Sequence, residues 1–84
     1  MWLYRMKIRW ECKGDSLERE HDFNASDGEA AKMYAQAYIR DLNQAEAARA
    51  EAKEENRDCF AKLSSLDLIE RCLVAEEIRT PISI

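Results

Sequence analysis

Residues 2–23 read WLYRMKIRWECKGDSLEREHDF. From Trp2 every second residue is apolar: Trp2, Tyr4, Met6, Ile8, Trp10 and Cys12. Leu3, Arg5, Lys7, Arg9, Glu11 and Lys13 alternate with them. A sustained period of two predicts a strand over 2–13 with one face turned to a core. Lys13-Gly14-Asp15-Ser16 then reads as a tight turn, with Gly14 at its first central position. That turn predicts a second strand over 16–25 and a register that sets Cys12 opposite Leu17, Trp10 opposite Arg19 and Ile8 opposite His21. Met6 then meets Phe23, Tyr4 meets Ala25, Arg9 meets Glu20 and Lys7 meets Asp22. The basic row of the first strand thus faces an acidic row on the second. This is the pattern of a charge-compensated, solvated sheet face. A sheet that binds RNA carries aromatics on its open face; here they lie on the other one.

Ser26 with Glu29 three residues later is a capping-box pattern. Ala30, Ala31, Tyr34, Ala37, Tyr38, Leu42, Ala45, Ala48 and Ala52 follow as one broad helical stripe. A helix is predicted over 27–57, loosening near Asn43. At that length it spans about 46 Å, against about 36 Å for the first strand, so its acidic end should project past the sheet. The alanine row is expected to lie over Trp10 and Cys12, and it also suits a helix–helix contact in a homodimer. In the last third, residues 66–75 suit either a helix capped by Ser64, with apolar residues scattered around it, or a strand. On the strand Leu66, Leu68, Cys72 and Val74 share a face interrupted by Glu70; it is favoured, over 67–79 and ended by Thr80-Pro81. The pieces assemble as one α+β domain over 1–84. Its order is ββαβ, a three-stranded antiparallel sheet in order 2-1-3 with one long helix across one face.

Composition narrows the function. The 84 residues include 13 basic and 17 acidic side chains, a net charge of −4. Residues 25–58 carry five basic against eight acidic groups, so the acidity is concentrated there. This balance argues against non-specific attraction to nucleic acid or to an anionic membrane. Cys12, Cys59 and Cys72 form no CxxC and no metal spacing, and they are expected to be reduced core thiols of a cytosolic protein. His21, the single histidine, is expected to be a half-buried spacer at the sheet edge. No nucleotide, zinc-protease or nucleophile-elbow motif occurs. Adjacent acids such as Glu54-Glu55 and Glu76-Glu77 point apart. No catalytic residue, cofactor or metal is therefore expected.

In size, acidity and hairpin–helix–strand order the chain resembles small phage-encoded inhibitors of the anti-CRISPR kind. The resemblance covers the general build of the whole chain and rests on no motif, so no functional residue carries over. It implies stoichiometric binding to a host nucleic-acid-handling complex in the bacterial cytoplasm, with no direct contact to nucleic acid or membrane. Acidic side chains can occupy a basic surface on such a partner. The candidate contacts are Glu46, Glu51, Glu54, Glu55 and Asp58 on the helix, with Glu76 and Glu77 as a second cluster. Two rival expectations stand beside this one. One is a small dimeric DNA- or RNA-binding regulator using Arg5, Lys7 and Arg9; the other is a structural subunit of a phage assembly.

Overall fold

The alternation from Trp2 becomes β1 (Trp2–Cys12), and the chain doubles back as β2 (Asp15–Ala25). In this computed structural model, residues 1–52, 59–71 and 76–84 are described. Helix α1 (Gly28–Ala52) follows, then β3 (Phe60–Arg71) and β4 (Glu77–Pro81). The four strands form one antiparallel sheet in the order β2-β1-β3-β4, with β1 central. The fold is α+β, with one helix, as expected. The sheet has four strands where three were expected, because the strand predicted over 67–79 starts earlier and is split. Its first part is β3 and its second is β4, while residues 72–75 lie outside those described.

The hairpin register differs from expectation by two residues. The loop is Lys13-Gly14, with Gly14 second and at φ 85°, so Cys12 faces Asp15 and Trp2 faces Ala25. Charge pairing accounts for the choice. The expected register would set Glu11 opposite Glu18, two like charges, and leave Arg5 opposite Asn24. The observed one sets Arg5, Lys7 and Arg9 opposite Asp22, Glu20 and Glu18. Opposite charges directly across a ladder contribute about 0.2–1 kcal/mol each, and like charges oppose pairing. Since the slip is two residues, both faces keep their expected membership.

The even residues of β1 therefore supply the core. Tyr4, Met6 and Ile8 are buried with Phe23, Ala25, Ala31, Ala35, Ala61 and Leu66. On β3 the apolar phase changes midway: Ala61 and Leu63 face this core from odd positions, Leu66 and Leu68 from even ones. A β-bulge reconciles them. Lys7 faces Ser65 and Ile8 faces Leu63, so Ser64 stands opposite nothing.

The helix is capped by Asp27 rather than by Ser26. The Asp27 side chain accepts a hydrogen bond from the Ala30 N–H at 2.8 Å, and its carbonyl accepts from Ala31 N–H at 3.0 Å. A side-chain oxygen bonding the third helical N–H is an N-cap. The buried stripe is Ala31 and Ala35, with Tyr38, Ile39 and Leu42 partly covered. Ala45, Ala48 and Ala52 are exposed, so the alanine row does not cover Trp10 and Cys12 as expected. Instead the Asn43 amide reaches β3: its Nδ2 donates to Ala61 O at 3.0 Å and its Oδ1 accepts from Ala61 N–H at 2.7 Å. The described helix is about 37 Å long, close to the length of β1. The remainder of the helix predicted over 27–57, and with it most of the projecting acidic end, lies at 53–58, outside the described residues.

Candidate partner-binding surfaces

The face of the sheet away from α1 is built by the odd residues of β1 and their partners. Arg5 is its hub. Its Nε and Nη2 donate to the two carboxylate oxygens of Asp22 at 2.7 and 3.0 Å, a bidentate pair. Its Nη1 donates to Glu77 Oε2 at 2.8 Å, and Glu20 lies 3.7 Å from Nε. Arg79 approaches both Glu20 and Glu77 at 3.7 Å, extending the cluster across to β4. Although it sits on the open face, the Arg5 side chain is only 12% exposed. Farther along, Glu11 lies 3.5 Å from both Arg9 and Lys62.

These contacts shift titration in a defined direction. The hydrogen bonds from Arg5 hold the Asp22 and Glu77 carboxyls below their ordinary range, and burial opposes this less strongly. Asp22 and Glu77, accepting from it, in turn raise Arg5. A carboxylate whose folded pKa is depressed adds stability that is complete above its unfolded pKa, about 4. That stability is lost as pH falls through the lower folded value. The stability difference between the native chain and Arg5→Gln should therefore be largest near pH 7 and shrink steadily below about pH 4. Denaturant unfolding at pH 7 and pH 2.5 checks this, and an equal difference at both would show that the pairs contribute nothing.

On the helix side, the edge strand β2 and α1 are joined by stacked rings. His21 lies 4.6 Å from Tyr38, and Phe23 lies 4.2 Å from Tyr34, with near-parallel planes. His21 Nε2 is 3.2 Å from the Tyr34 hydroxyl. His21 is half-buried as expected, but it faces Met6 rather than Ile8, and it is a hydrogen-bonded member of the stack rather than a spacer.

A groove of about 510 Å³ opens between the hairpin end of the sheet and the second half of α1. Trp10 and Leu17 line it with Arg19, Glu46 and Arg49, and the Cys12–Cys59 pair closes one wall. These two cysteines are disulfide-bonded, which corrects the expectation of reduced core thiols. Cys59 immediately precedes β3, next to the Glu11–Phe60 pair, with its Cα 4.1 Å from that of Cys12, and that proximity is what the wide sequence spacing concealed. Cys72 lies outside the described residues.

The expected acidic contacts do not gather on one surface. Glu46 turns into the groove, 13% exposed and 3.8 Å from Arg49. Glu51 is exposed near the end of the helix, whereas Glu54, Glu55 and Asp58 lie outside the described residues. Glu76 is exposed, but Glu77 belongs to the Arg5 cluster on the opposite face and at the opposite end from Glu46. The strand expected over 16–25 with its acidic row is β2, but its acids are not among the candidate contacts. Asp15, Glu18, Glu20 and Asp22 stand there against Arg19, a net −3 on an outermost strand. Its signal was present in the alternating acids of residues 18–22.

The class defined by these features is a small α+β protein with a four-stranded antiparallel sheet. No family model, curated protein or solved structure matches the chain. Among the described residues, no helix is long and apolar enough to cross a membrane, and no group of three or more His, Cys, Asp or Glu could hold a metal ion.

Proposed function

We propose that this chain is a non-enzymatic, acidic protein-binding module. In this reading it is a phage or mobile-element inhibitor that occupies the basic surface of a nucleic-acid-handling complex in the bacterial cytoplasm. The observation that carries this reading is the state of the basic row on β1. Arg5, the residue a nucleic-acid platform would need free, is held by Asp22 and Glu77, and Lys7 and Arg9 each face a glutamate. Binding phosphate there would mean displacing carboxylates already in place. Asp15 and Glu18 of β2 and Glu51 near the end of α1 are exposed, and they complement a partner rich in lysine and arginine.

Affinity capture from bacterial lysate, with and without nuclease, tests the reading. The expected result is one nucleic-acid-processing complex in stoichiometric amount, insensitive to nuclease and weakened by charge reversal at Glu51, Glu54 and Glu55. Recovery of nuclease-sensitive material alone, with affinity falling steeply with salt, would replace the proposal with a nucleic-acid regulator. Recovery of the chain alone would replace it with a self-assembling structural subunit.

A further inference from the structure

β2 is eleven residues long and outermost in the sheet. Its inner edge is occupied by β1, and among the described residues no strand pairs with its outer edge. An edge of this length offers a row of backbone donors and acceptors to any extended segment that fits. What fits is visible on the inner side. There β2 has taken a strand that alternates Arg5, Lys7 and Arg9 with Tyr4, Met6, Ile8 and Trp10. The side chains of β2 stand above and below the sheet, so an outer neighbour would meet the same two rows. Glu18, Glu20 and Asp22 lie on the open face, and Leu17, Arg19 and His21 on the helix face.

We propose that the outer edge of β2 is a strand-addition site for an extended partner segment that alternates lysine or arginine with apolar residues. This deepens the protein-binding reading and rests on it. Main-chain bonds to β2 supply affinity, and alternate side chains supply specificity. The basic residues of the added strand lie beside Glu18 and Glu20. An apolar residue beside Leu17 enters the groove over Trp10.

Charge also decides against the obvious rival, a second copy of this chain. Antiparallel self-pairing about residue 19 sets Glu18 against Glu20. About residue 20 it sets Glu18 against Asp22, and about residue 21 Glu20 against Asp22. Like charges directly opposed destabilise a ladder, so β2 resists itself in the registers of longest overlap and accepts the opposite sign. The other edge, β4, is five residues long and ends in Pro81, which has no N–H to donate.

The test uses the full oxidised chain and a nine-residue peptide alternating lysine with valine, with a second peptide carrying glutamate for lysine. Backbone amide exchange is followed by NMR. The expected result is slowed exchange confined to Asp15–Ala25 with the lysine peptide and none with the glutamate peptide. Glu18→Lys, which leaves the Arg5 cluster intact, should weaken the affinity by at least about fivefold. Slowing at β4, equal slowing by both peptides, no slowing at all, or dimerisation through β2 would each overturn the proposal. The two readings fail separately. A lysate partner captured equally well by Glu18→Lys would sink strand addition while leaving protein binding in place, whereas capture of nucleic acid alone would sink protein binding itself.

Discussion

Replacing Cys12 and Cys59 together by serine is expected to lower the free energy of unfolding by about 2–4 kcal/mol. The bond joins residues 47 apart in sequence, and closing a loop of that size removes much of the freedom of the unfolded chain. A domain of this size has roughly 5–15 kcal/mol in total, so the loss would be a large share. The reason lies in placement as well as loop length. The pair fastens the end of β1 to the start of β3, at the place where the second half of α1 stands off the sheet and the groove opens. Urea unfolding of three samples checks the prediction: oxidised protein, protein in excess dithiothreitol, and the double serine variant. The last two should coincide, with a lower midpoint than the first. Coincidence of all three would show that the bond contributes nothing. In the cytoplasm proposed as its place of action, reductants would hold the chain in the weaker dithiol form. Binding experiments should accordingly be run in both states.

Deleting one serine of the Ser64-Ser65 pair should cost less than about 1 kcal/mol, while deleting Asp67, three residues on, should remove most of the stability. Ser64 is the unopposed residue of the bulge, so its loss leaves Ser65 opposite Lys7 and Leu63 opposite Ile8, with every core residue still facing inward. Loss of Asp67 instead puts the two halves of β3 out of phase. If the bulge straightens, Leu66 turns to the open face opposite Arg5 while Ser65 enters the core opposite Met6. If it is kept, Leu68 turns to the open face and Glu70 takes the place of Ile69, 4% exposed, opposite Leu3. Leu66 is 1% exposed and Met6 is fully buried. Losing a buried leucine from such a site costs about 2–5 kcal/mol, and burying an unpartnered hydroxyl adds to it. Thermal melts of the two deletion variants check the contrast. Similar melting temperatures would mean that the bulge does not set the phase of β3.

The hairpin and its faces could be read from residues 2–25 because one period of two runs through them unbroken, and a period of two survives a two-residue error in register. The exact register was also legible. The like charges of Glu11 and Glu18 reject the register that puts Gly14 at the first central position of the turn. β3 was harder to see. Ala61 and Leu63 alternate in one phase and Leu66 and Leu68 in the other, so no single period spans Phe60–Arg71, and only the Ser64-Ser65 junction hints at a bulge. The disulfide and the Arg5–Glu77 contact join parts of the chain far apart in sequence, and no local pattern encodes either. The candidate site shifted for a related reason. Acid counts along the chain favour the helix, whereas in the fold Glu46, Glu77, Asp22 and Glu20 all lie beside arginines, and Asp15 and Glu18 at the hairpin end of β2 are exposed.

The amide of Asn43 has a consequence for how copies of this protein avoid one another. β4 pairs with Asp67–Arg71, so among the described residues the rim of β3 from Phe60 to Ser65 has no neighbouring strand. At Ala61 the Asn43 side chain makes, with one donor and one acceptor, the two bonds that an incoming strand would seek. A helix residue thus plugs the rim, much as charge guards β2. Asn43→Ala would reopen it, and fibrillar growth in concentrated solution should begin there rather than at the acidic edge.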